Sequence, residues 1–123
     1  MKVSHPIPIL RSFDEAKARE FYIQFLGFKI DWEHRFEPES PLYMQVSKDC
    51  CVLHISEHHG DCTPGTALRI EVDALEAFHK ELDEKNYRNA RPGINAQPWG
   101  KDMCVTDPFG NRLIFCKLDR QAG

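Results

Sequence analysis

The sequence predicts an α+β fold built from two copies of one β-α-β-β-β unit, and three observations predict it. Two amphipathic helical stretches, SFDEAKAREFYIQFLGF and DALEAFHKELDEKNY, each follow a short apolar strand. From Asp14 to Phe28 and from Asp73 to Tyr87 the helix and its closing aromatic occupy equal lengths, which marks an internal repeat. Strand-like segments separated by turn signals follow each helix. A chain of 123 residues with 41% apolar residues can bury a core, so one domain over 1–123 is expected, with module one at about 1–59 and module two at about 64–119.

The first strand is IPIL, Ile7 to Leu10, which Pro6 and Pro8 confine to a sheet edge or a strand start. In the helix that follows, Ser12 can cap, Ala18, Phe21, Tyr22 and Phe25 recur at helical spacing, and Gly27 ends the run. FKIDWEHRF, LYMQVS and CVLHISEH then read as strands, the last two joined by the polar turn KDC. The loop HHGDCTPG links the halves across the surface. TALRIEV alternates Leu68, Ile70 and Val72 with Arg69 and Glu71, so one face packs and the other meets something polar or a cavity. The second helix aligns Leu75, Phe78 and Leu82 on one side. The closing hairpin is KDMCVT, the turn DPFGN and RLIFCK, where Pro108 sets φ and Gly110 permits a left-handed residue. Helices laid over a sheet bury one of its faces, and the other face, if curved, makes a cleft.

Charge and composition exclude several partners. A net charge of −3 with Lys and Arg scattered among acids gives no basic footprint for nucleic acid. No apolar run approaches the roughly 20 residues needed to cross a bilayer, and MKVSHPIPIL lacks the features of a secretory signal, so no membrane partner and a cytoplasmic location are expected. Five cysteines, Cys50, Cys51, Cys62, Cys104 and Cys116, form no C-x-x-C pair and read as reduced, buried apolar fillers. Ser56 and Cys104 have no partner histidine at a recognisable spacing, so no catalytic nucleophile is assigned. The run KELDEK reads as solvated charge on the second helix.

Taken together, IPIL, EFYIQFLGF, LHISEHHGD, the helix after EVD, QPWG and VTDPFGNRLIF resemble the glyoxalase, bleomycin resistance protein and extradiol dioxygenase group, the vicinal oxygen chelate superfamily. QPWG followed by DPFGN resembles its bleomycin resistance branch in particular. The resemblance implies paired βαβββ modules with curved, antiparallel-rich sheets, helices on the outer face, and a homodimer whose cavities both chains line. It also implies that the enzymes of the group hold a divalent metal with His and Glu on the first and last strands of each module. Those positions fall here at Ile7, His54, Ala67 and Ile114, of which only His54 can bind a metal. A catalytic metal generally needs about three protein ligands. His5 is a reserve ligand, two residues from Ile7 on the same strand face, and Glu71 a reserve acid. In HISEHH the strand geometry makes His54 and His58 diverge, which leaves His58 and His59 in a loop and His54 as a neutral hydrogen-bonding group.

With no metal and no cofactor expected, the resemblance implies binding and sequestration of a small molecule, an antibiotic or toxin. Asp31 and Trp32 stand where the bleomycin resistance branch has an acid and an aromatic that contact the drug. Trp99, between Pro98 and Gly100, offers an indole face for stacking and an N–H. Arg69 replaces an aromatic of drug-binding relatives and would repel a cationic antibiotic unless Glu71 neutralises it. The expected ligand-binding set is Asp31, Trp32, His54, Arg69 and Trp99, with no catalytic residue. The alternative is a glyoxalase-type lyase or dioxygenase in which His5 or His54 and an acid bind a divalent cation. A scaffold whose cleft is filled by its own side chains is the third reading.

Overall fold

The computed structural model describes residues 1–119; residues 120–123, which the expected domain included, lie outside the described residues. The chain divides into two compact units, Met1–Pro64 and Gly65–Gly123. In the first, β1 (Ile9–Arg11) leads into helix α1 (Glu15–Ala18), which continues in π-helical form over Arg19–Phe25, and then into β2 (Lys29–His34), β3 (Tyr43–Lys48) and β4 (Cys51–Ser56). In the second, β5 (Ala67–Glu71) is followed by α2 (Leu75–Glu84), β6 (Ile94–Gln97), β7 (Gly100–Thr106) and β8 (Arg112–Leu118). The sheets repeat one plan, β1-β4-β3-β2 and β5-β8-β7-β6. In each, the first strand runs parallel to the last and the other pairs are antiparallel. This is the βαβββ unit twice over, in an α+β fold, as the repeat predicts.

Each core follows from period-two burial meeting period-3.6 burial. In the first unit Leu10, Met44, Val46, Leu53 and Ile55 are buried on the sheet, and Ala18, Phe21, Tyr22 and Phe25 are buried on the helix. Fully burying one such Leu or Phe side chain contributes about 1.5–3 kcal/mol. In the second unit Met103, Val105, Leu113 and Phe115 are buried on the sheet and Leu75 and Leu82 on the helix, and Phe78 meets Phe115 edge-on at 5.0 Å.

The two helices are not equal, which corrects the reading of equal lengths. Asp14 caps the first, its side chain accepting from Lys17 N at 3.0 Å. The corresponding cap of the second is Ala74, not Asp73: Phe78 N bonds to Ala74 O as Ala18 N bonds to Asp14 O. Both helices end before a left-handed residue, Gly27 (φ 83) and Asn86 (φ 50). The first segment is therefore one residue longer, and it absorbs the insertion as a π-helix, with Leu26 N reaching five residues back to Phe21 O.

The stretch QPWG also differs from the expected loop. Gln97 pairs with Gly100 across β6 and β7, so Pro98 and Trp99 form a two-residue hairpin turn. A Cβ on Gly100 (φ 148) would meet the Lys117 carbonyl at 2.1 Å, so this glycine permits close approach of β7 to β8. The DPFGN turn is held by a buried pair: Asp107 Oδ1 accepts from the backbone of Phe109 and Asn111, and Asn111 Nδ2 donates to Asp107 Oδ2, each at 2.8 Å. Thr66 N, just ahead of β5, donates to Asn111 Oδ1 at 3.3 Å.

Candidate functional site

In the first unit, the sheet face opposite the buried Met44, Val46, Leu53 and Ile55 carries Tyr43, Gln45, Ser47 and His54 by simple alternation. Neighbours on β2 would normally point to opposite faces. Here the register slips between Ile30, opposite Val46, and Trp32, opposite Gln45. The extra residue in this bulge, Asp31, turns to the same face as Trp32. Asp31 accepts from Gln45 Nε2 at 3.1 Å and from Ser47 Oγ at 3.0 Å, while Trp32 stacks on Tyr43 with ring centroids 5.9 Å apart and planes 9° from parallel. His54 lies edge-on to both, 5.3 Å from Trp32 and 5.1 Å from Tyr43. Acid and aromatics thus share one surface because a strand is irregular.

The polar groups of this face form one chain. Tyr43 Oη lies 2.6 Å from His54 Nδ1, and His54 Nε2 lies 3.0 Å from Gln45 Oε1. The bonds to Gln45 and then Ser47 hold the Asp31 carboxyl below its ordinary pKa. Loss of solvent lowers the His54 pKa, favouring the neutral imidazole. The Tyr43 phenol is pushed upward, first by burial and then by the nearby Asp61 and Cys62.

The donor set does not fit a metal. The parallel register puts Ile9 opposite His54 and Arg69 opposite Ile114, each first-strand residue two places beyond the carried-over Ile7 and Ala67. Ile9, Ile7, Ala67 and Ile114 offer no lone pair, Arg69 is a cation, and both ring nitrogens of His54 are engaged. His5 is exposed, ahead of β1, and Glu71 is exposed at the end of β5 in the second unit. Among the described residues no group of three or more His, Cys, Asp or Glu side chains is placed to hold a metal ion.

In the second unit the side chain of Arg69 leaves β5, crosses β8 at Cys116 and ends on β7, where Nη1 donates to Asp102 Oδ1 at 2.9 Å. Trp99 Nε1 donates to the same oxygen at 3.2 Å, and the guanidinium lies 5.3 Å from the centre of the indole. Contacts with Cys116 and then Asp102 raise the Arg69 pKa. The acid that neutralises Arg69 is therefore Asp102 rather than Glu71: Glu71 shares its strand, whereas Asp102 sits where a long side chain ends. The indole N–H, expected to be available to a ligand, is held by the same carboxylate. Of the cysteines, Cys116 is buried but Cys50 and Cys104 are exposed, so burial as apolar filler does not describe them all.

The structure thus brings Asp31, Trp32 and His54 together in the first unit and Arg69 and Trp99 together in the second. Sequence reasoning missed Tyr43, Gln45, Ser47 and Asp102. The signal for the first three was in LYMQVS, where they alternate with Met44 and Val46. Asp102, a 7%-exposed acid beside Met103, carried no local mark.

A family profile described as glyoxalase superfamily protein matches residues 1–122. None of the curated proteins matches the chain in sequence. Among solved structures, the bleomycin-binding protein of bleomycin-producing Streptomyces verticillus, complexed with copper(II)-bleomycin, is 26% identical, with a TM-score of 0.72 over 97% of this chain and 99% of that one. TnmS3, an antibiotic binding protein from Streptomyces sp. CB03234, is 19% identical, with a TM-score of 0.72 over 97% and 99%. A bleomycin-binding protein complexed with bleomycin is 20% identical, with a TM-score of 0.74 over 95% and 100%.

Proposed function

The chain belongs to the glyoxalase superfamily, and from that membership and the residues on its sheets we propose that it binds and sequesters an antibiotic or toxin of the bleomycin type, one with a planar heteroaromatic part and a cationic group, without a metal and as a homodimer. The observation that carries this reading is the bulge in β2, which puts a carboxylate, Asp31, and a 42%-exposed indole, Trp32, on one sheet face. A carboxylate attracts a cationic group and an indole plane stacks on heteroaromatic rings. Sequestration requires no bond to be made or broken: a tightly held toxin is removed from its target by mass action. In the second unit, Asp102 pairs with Arg69 at 2.9 Å, which offsets the cation that the sequence sets against a positively charged guest. The bleomycin-binding neighbours support the choice of ligand class.

Titration of bleomycin into the wild-type protein, Asp31→Asn and Trp32→Ala tests this. Removing the charge or the stacking plane is expected to weaken binding by about tenfold or more in each case, since such contacts contribute roughly 1–3 kcal/mol. Unchanged affinity in both variants would remove the site from this face.

A further inference from the structure

Resting on the sequestration reading, we propose that Tyr43 is a further ligand-contacting residue, and that its hydroxyl, fixed as a hydrogen-bond acceptor by His54, selects flat aromatic cations bearing N–H donors over those without. The argument starts at Asp31. An ionised carboxylate only accepts, so the Gln45 group facing it at 3.1 Å is the amide NH2. The carbonyl of Gln45 then faces His54 and requires a proton on Nε2, 3.0 Å away. A neutral imidazole carries one N–H, so Nδ1 is bare and accepts at 2.6 Å from the only proton Tyr43 has. The direction of all three bonds is set from one end.

Toward a guest, this face consequently offers acceptors. Tyr43 Oη keeps a lone pair after donating its proton, and each Asp31 oxygen takes one protein donor, leaving a second position on each. The stacked rings of Trp32 and Tyr43 lie in the same group. A flat cation with amino groups satisfies these acceptors. A donorless cation of the same plane strips them of water without replacement, and that asymmetry discriminates strongly between analogues.

Two acridinium dyes of one ring system, each methylated at the ring nitrogen so that the charge is permanent and no ring N–H remains, serve as probes: N-methylproflavine with free amino groups and N-methyl acridine orange with dimethylated ones. Wild-type protein is expected to prefer N-methylproflavine by about tenfold, the size of one unsatisfied polar group. Tyr43→Phe keeps the ring and removes the acceptor, so it is expected to shrink that ratio several-fold; dye bulk is common to both proteins and cancels. Nitrogen-15 spectra of the ligand-free protein are expected to show His54 with Nε2 protonated and Nδ1 bare, and Tyr43→Phe to move the Nδ1 resonance. The opposite tautomer, or a dye ratio unchanged in Tyr43→Phe, overturns this inference alone. Failure of the wild type to bind either dye overturns this inference, and failure to bind bleomycin as well overturns the sequestration reading with it.

Discussion

His54 has both ring nitrogens in hydrogen bonds and its pKa lowered by loss of solvent, which fixes the sign of a pH effect. A histidine whose folded pKa lies below its unfolded value binds fewer protons folded than unfolded, so stability is complete above the usual histidine range near 6.5 and is lost as pH falls through it. Thermal unfolding of the wild type is expected to shift downward on acidification from about pH 7.5 to about 5. His54→Gln, compared over the same range to subtract the other histidines, is expected to shift less; an equal shift contradicts a neutral His54. At this scale the sequence was half legible. The alternation of LYMQVS around Met44 and Val46 carried enough to place Tyr43 and Gln45 with His54. That Asp31 and Trp32 share a face depended on a register slip against β3, a long-range pairing that adjacent residue types do not specify.

Between residue and molecule, the hairpin Gln97–Gly100 shows how an element sets a side chain's position. Trp99 sits at its tip because Gly100 lets the next strand pass within a Cβ's width of Lys117, and Asp119 N bonds to Trp99 O at 2.8 Å. Gly100→Ala brings a methyl group against backbone that cannot swing aside, in a conformation with positive φ. It is expected to cost about 2 kcal/mol or more, read as a lowered denaturation midpoint at unchanged slope; a stability change below about 0.5 kcal/mol would contradict this packing account. The DPFGN turn was readable in advance, since Asp, Pro, Gly and Asn each act locally there. Strand β6 was not: INAQ is short and half polar, and β7 makes it a strand by pairing with it. The stretch read as the second helix starts at Asp73, whereas its first helical bond begins at Ala74.

For the molecule as a whole, two units of identical strand order carry different chemistry on corresponding positions. Ile9 and His54 face one another in the first, Arg69 and Ile114 in the second. Duplication made the fold legible because a repeat is a pattern of the sequence itself. The site was less so: its polar partners come from separate strands, and Asp102 meets Arg69 across 33 positions. The proposed homodimer is expected to scatter light in solution with twice the mass of one chain, and a single-chain mass at micromolar concentration would contradict it. Calorimetric titration of metal-free bleomycin into protein stripped with a chelator tests the central claim most directly. A saturable heat, lost in Asp31→Asn and Trp32→Ala, is the result expected. The absence of a saturable heat, or the disappearance of a glyoxal-type substrate when divalent cations are returned to the protein without the drug, would contradict it.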